Sequence, residues 1–183
     1  MSAPAIVCVT DTTIRDNGIF GLRLLSGTST TITRAMISGN ADTGIWVDAE
    51  AAGTTTTADI AYSTAEGSNY GITVYSGNAT AVVRASIHNS RLLGNGAAAM
   101  NSQSNSGASV TVSASDNIVS NNTNGLGAVF TDAKVWASGN TVSNNGTGLR
   151  TISGGIFESA GNNAVRNSTT AGTSGTITMI ATK

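Results

Sequence analysis

A short unit recurs along nearly the whole chain, and that recurrence restricts the fold more than any other feature. Five pieces share one pattern: Ile14-Arg15-Asp16-Asn17, Ile37-Ser38-Gly39-Asn40, Leu92-Leu93-Gly94-Asn95, Val119-Ser120-Asn121-Asn122 and Val142-Ser143-Asn144-Asn145. Each is an aliphatic residue, two mostly small or polar residues, then asparagine. Ala65 and Val165 continue the series in degenerate form. The anchors Ile14, Ile37, Ala65, Leu92, Val119, Val142 and Val165 are 23, 28, 27, 27, 23 and 23 residues apart. Five residues before each anchor lie Val9, Ile32, Ile60, Ile87, Ala114, Ala137 and Ala160. Two residues before lie Thr12, Ala35, Ser63, Ser90, Asn117, Asn140 and Asn163. A few residues after come glycine and usually an aliphatic, as in Gly18-Ile19, Gly44-Ile45, Gly71-Ile72, Gly96-Ala97, Gly125-Leu126 and Gly148-Leu149. Seven units of this kind run from about Ile6 to Ser168.

Within a unit the apolar spacing is two. Ile45, Val47 and Ala49 alternate with Trp46 and Asp48, and Ile72 and Val74 alternate with Thr73 and Tyr75. Period two predicts strands with one buried face, parted by Gly, Asn, Ser and Thr turns. No stretch holds the 10–12 residues of helical periodicity that a globular helix needs. A unit this short cannot bury its apolar face alone, so the units must stack, coil upon coil, with like positions superposed at about 4.8 Å per layer. Small residues at Ala114, Ala137 and Ala160 suit a narrow interior. Asn117, Asn140 and Asn163 are expected to form an amide ladder along the axis. The reading is an all-β parallel solenoid of about seven coils, one domain over residues 1–183.

The unit length, the aliphatic-x-x-Asn turn, the Asn-Gly-Ile/Leu element and the stretch Ser159-Ala160-Gly161-Asn162-Asn163 resemble the bacterial right-handed parallel β-helix repeat family of the pectate-lyase-like superfamily. The resemblance covers nearly the whole chain. It implies right-handed coiling and a place outside the cell or at its surface. Members include polysaccharide lyases and hydrolases, phage tailspikes and adhesins, so its motifs speak for the fold and hardly for activity.

Charge excludes some functions. Nine Lys+Arg against ten Asp+Glu leave a net charge of −1, with no basic field for nucleic acid. No apolar run approaches the roughly 20 residues of a membrane span. The start lacks the basic and apolar regions of a signal peptide. Cys8 is the only cysteine, which rules out an internal disulfide and a cysteine zinc cage. His88 is the only histidine, read as an exposed or turn residue, so no histidine cluster holds a metal. No cofactor is expected, save calcium if the chain is a lyase.

Function in a solenoid lies on outward columns. The column three before the anchor (Asp11, Arg34, Tyr62, Asn89, Asp116, Gly139, Asn162) and the column one after it (Arg15, Ser38, Glu66, Leu93, Ser120, Ser143, Arg166) repeat no chemical type. Uronate elimination needs a base and a cation. The candidates are Asp11, Arg34 and Asp59, with Asp16 and Asp42 nearby; the rival reading is a surface ion pair of Asp11 with Arg34. A Ser-His-Asp arrangement would have to join His88 to Ser115 and Asp116 from the next coil. The ligand-binding candidates are Phe20, Trp46, Asp48 and Tyr75, beside Arg23. Outward aromatics beside polar groups stack sugar rings, mediate self-association, or lie under a loop such as Glu50 to Thr56; Trp136 and Phe130 raise the same choice.

The expected role is a non-catalytic scaffold or binding module for carbohydrate or a protein partner. The rivals are a polysaccharide lyase or hydrolase working in a groove along one sheet, and a structural segment assembling through its ends. Homo-oligomers through those ends or the aromatic face belong to the same expectation. The N-terminus reads as uncapped or cut from a longer protein, and residues 169–183 as a C-terminal strand that folds back as a cap.

Overall fold

Alternating small apolar and polar residues, interrupted every few positions by Gly, Asn and Asp, fold here into strands of 3–7 residues with no helix among the described residues. The computed structural model describes residues 5–105 and 107–181. The strands come in successive triplets, the first being Ala5–Thr10, Thr13–Arg15 and Phe20–Leu24. Each member of a triplet pairs in parallel with its counterpart in the next. The result is three sheets of eight, seven and seven strands, termed A, B and C in the order the chain visits them. Seven triplets are completed, and Ile177–Met179 begins an eighth.

The register follows the repeat. Ile14, Ile37, Ala65, Leu92, Val119, Val142 and Val165 lie opposite one another down sheet B. Val9, Ile32, Ile60, Ile87, Ala114 and Ala137 do the same in sheet A. These columns meet Ile45, Ile72, Met100, Leu126 and Leu149 from sheet C in one buried core. Fully burying one such Ile or Leu contributes about 1.5–3 kcal/mol. At the last coil the expected column slips: Ala137 lies opposite Ser159, not Ala160. One extra residue enters the following turn, and Gly161 takes φ 80° to accommodate it. Ile177–Met179 runs parallel to Ile156–Ser159 as a further layer, so it extends sheet A instead of folding back across it.

Both turns around sheet B use one left-handed residue per coil. Before sheet B these are Asp11, Arg34, Tyr62, Asn89, Asp116 and Gly139, with φ between 51° and 66°. After it they are Asp16, Gly39, Gly67, Gly94, Asn121, Asn144 and Asn167, with φ between 51° and 63°. The first column, chemically irregular in sequence, therefore repeats a backbone conformation. Only Gly, Asn and Asp adopt it cheaply. Tyr62, exposed at φ 51°, does not. Tyr62→Asn is expected to raise stability by about 0.5–1 kcal/mol in urea unfolding, because the strain falls and little buried contact is lost.

On several coils the residue after the left-handed one carries a side chain that stacks inside the turn. Asn117 bonds the Oδ1 of Asn140 through its backbone N (3.0 Å) and Nδ2 (3.0 Å), and Asn140 bonds Asn163 in the same way (3.0 and 2.8 Å). A second ladder, at the Asn of the repeat pattern, runs from Asn95 through Asn122 to Asn145. Ser68 substitutes in it between Asn40 and Asn95. These amides satisfy turn backbone groups that have no ladder partner of their own.

Candidate functional site

The outer face of sheet A carries a groove of about 580 Å³. Two outward columns form it. One reads Ser29, Thr57, Arg84, Thr111, Lys134 and the other Thr31, Asp59, Ser86, Ser113, Trp136, each coil contributing one residue to each column. Strand alternation turns these side chains outward while Ala58, Ala85 and Val112 between them enter the core. Small Ser and Thr side chains keep the floor low. Arg84 is exposed and Lys134 half-buried, and neither pairs with a carboxylate among the described residues. The Lys134 ammonium lies 5.7 Å from the centre of the Trp136 ring. Trp136, 43% exposed, donates its indole N–H to Glu158 on the next coil.

The carboxylate candidates separate. Asp11 and Arg34 form a two-pronged ion pair at 2.6 and 2.8 Å on the turn between sheets A and B. The hydrogen bond from Arg34 holds the Asp11 carboxyl below its usual range and raises the Arg34 guanidinium in return. Asp59 instead lines the groove, with an oxygen 3.3 Å from Nε2 of His88. Asp16 lies 3.7 Å from Arg15, and Asp42 takes a hydrogen bond from Thr43. Among the described residues no three metal-ligating side chains of His, Cys, Asp or Glu converge.

His88 is half-buried in the strand Val82–His88, not in a turn. Its Nδ1 lies 3.1 Å from the Asn89 amide nitrogen and its Nε2 lies 3.3 Å from an Asp59 oxygen. Ser115, its neighbour on the next coil, is not among the hydrogen-bond partners of the ring.

The aromatic candidates cluster on sheet C. Phe20 and Trp46 lie 5.4 Å apart and Trp46 and Tyr75 5.5 Å apart, with rings tilted by 47° and 45°. Asp48, only 1% exposed, accepts from the Trp46 indole (3.2 Å) and from Arg23 (2.9 Å), and Arg23 also lies over Phe20 at 5.6 Å. The rings are half-buried and pack against one another, so they present edges more than a flat platform. Glu50 and Ala51 bond Ser26 at the neighbouring corner. Register here differs from the glycine alignment in sequence. Arg23 lies opposite Trp46, and Leu22 opposite Ile45, which puts Gly21, not Gly18, at the repeat glycine. Likewise Met100 lies opposite Ile72, so Ala99 takes the place expected for Gly96. Further along sheet C, Arg150 crosses Gly127 to reach Asn101 at 3.4 Å, and burial lowers its pKa.

Sequence reasoning passed over Arg84 and Lys134. The signal was present: Ser29, Thr57, Arg84, Thr111 and Lys134 all stand eight residues before an anchor, and Thr31, Asp59, Ser86, Ser113 and Trp136 six before.

A family model described as a right handed beta helix region matches residues 1–123, about two thirds of the chain. No curated protein and no solved structure matches it. No helix among the described residues is long and apolar enough to cross a membrane.

Proposed function

The chain belongs to the right-handed β-helix family, and on that premise we propose that it is a non-catalytic binding module that holds an extended carbohydrate along the outer face of sheet A. The observation that carries this reading is the groove itself: a long, shallow, hydroxyl-lined trough with an exposed indole and two unpaired cations. Such a surface fits a linear chain of sugar rings. Ser and Thr hydroxyls and the cations bond its oxygens, and the Trp136 ring stacks one apolar sugar face. Of the acids beside the groove, Glu158 accepts from the Trp136 indole and Asp59 lies 3.3 Å from His88, an arrangement that favours holding over cleavage. The sheet C cluster, with half-buried rings tilted against one another, suits packing better than stacking.

The experiment is incubation of the purified chain, with and without calcium, against acidic and neutral polysaccharides. Depletion, reducing ends and unsaturated uronates are followed together. Depletion without product is expected, and Trp136→Ala is expected to weaken binding about tenfold, the loss of one stacked ring. Trp46→Ala is expected to leave binding unchanged. Product formation would replace this reading with a lyase or hydrolase. Loss of binding in Trp46→Ala but not in Trp136→Ala would move the site to sheet C.

A further inference from the structure

Charge along the groove changes from coil to coil, with two cationic coils parted by a neutral one and flanked by acidic ones. Following sheet A, the coil of Thr57 and Asp59 is acidic, the next carries Arg84, the next holds the neutral Thr111 and Ser113, the next carries Lys134, and the next is acidic again at Glu158. Arg84 and Lys134 stand in the same outward column with only Thr111 between them. Two layers separate them, about 10 Å along the axis. One pyranose ring of an extended chain spans roughly one layer, so the two cations are two rings apart.

From this, and resting on the groove as a carbohydrate site, we infer that the ligand is a glycan bearing one acidic group per disaccharide, not one per ring. With its acids opposite Arg84 and Lys134, such a chain places a neutral ring over Thr111 and neutral rings over the coils of Asp59 and Glu158. A polymer charged on every ring also places an anion against each of those two carboxylates, and a third over a coil with no cation. Like charges so apposed oppose binding and set partner choice. A neutral glycan leaves both cations without a counter-charge.

The test uses three oligosaccharides of equal length with the intact chain: hyaluronan, with one carboxylate per disaccharide; oligogalacturonate, with one on every ring; and a neutral cello-oligosaccharide. Calorimetry is expected to place hyaluronan about tenfold tighter than either of the others, with an advantage that shrinks as salt is raised. Arg84→Gln and Lys134→Gln are each expected to lose about tenfold toward hyaluronan and clearly less toward the neutral chain, which keeps hydrogen bonds but has no counter-charge to lose. Both side chains are outside the core, so these variants fold. Oligogalacturonate or the neutral chain binding as tightly as hyaluronan would overturn the charge-spacing inference and leave the groove standing. Unchanged hyaluronan affinity in both variants would do the same. Binding of none of the three would overturn the groove reading and this inference with it.

Discussion

Asn122→Ala is expected to lower the unfolding free energy by about 3–5 kcal/mol, the loss of several buried hydrogen bonds at once. The Asn122 side chain is buried in the turn after sheet B. Its Nδ2 donates to the Leu92 carbonyl (3.0 Å), the Ser120 carbonyl (2.9 Å) and Asn145 Oδ1 (2.9 Å). Its Oδ1 accepts from the Asn95 backbone N (2.9 Å) and Nδ2 (3.0 Å). Alanine leaves the Asn95 backbone N–H without its acceptor and takes a donor each from the Leu92 carbonyl, the Ser120 carbonyl and Asn145 Oδ1, of which the last two keep the backbone N–H of Gly94 and of residue 122. Each group left unpaired costs about 1–3 kcal/mol. Asn122→Ser is expected to recover part of the loss, because a hydroxyl can accept from the coil before it, as Ser68 does from Asn40. Urea unfolding of the three proteins checks the order: wild type, then Ser, then Ala. A loss below about 1 kcal/mol for alanine would mean that the ladder is ornament and the core alone sets stability.

The second large effect is at the glycine that opens the sheet C strands. A Cβ on Gly44 would stand 2.6 Å from the Gly71 carbonyl oxygen and 3.3 Å from Cγ2 of Ile37. The close neighbour is backbone of the next coil, so relief requires the coils to part. Gly44→Ala is expected to cost about 2–3 kcal/mol, in the range of core overpacking. Gly18→Ala is the matched control. Nothing lies within 4 Å of its added Cβ, and its φ is not left-handed. That substitution is expected to leave stability unchanged or raise it by about 0.5 kcal/mol through the unfolded chain. Equal losses at the two positions would contradict the close coil spacing.

Much of the fold could be read from sequence because a stacked coil repeats its constraints. The anchor column, the sheet A column through Ala137 and the Asn117–Asn140–Asn163 ladder all stand where spacing places them. The misreadings are local and share a cause. Ala160 misses its column because one residue was added to the turn after Ser159, and turns tolerate insertions that strands do not. Gly18 and Gly96 were aligned in place of Gly21 and Ala99 because glycine serves both turns and close approaches, and the letter does not say which. The site was less legible. Asp11, Arg34 and Asp59 were grouped by coil number, but Asp11 and Arg34 lie at a corner and Asp59 in mid-sheet. Of the columns near the anchor, the one three residues before it lies in turns and the one just after it ends the short sheet B strands. The columns eight and six residues before it, which hold Arg84, Lys134 and Trp136, face outward from the sheet A strands.

The most direct test of the groove is an amide chemical-shift map of the chain titrated with a hyaluronan oligosaccharide. Shifts that saturate together at Arg84, Thr111, Lys134 and Trp136, with Phe20, Trp46 and Tyr75 unmoved, are the predicted result. Shifts confined to the sheet C cluster, or none anywhere at excess ligand, would contradict it.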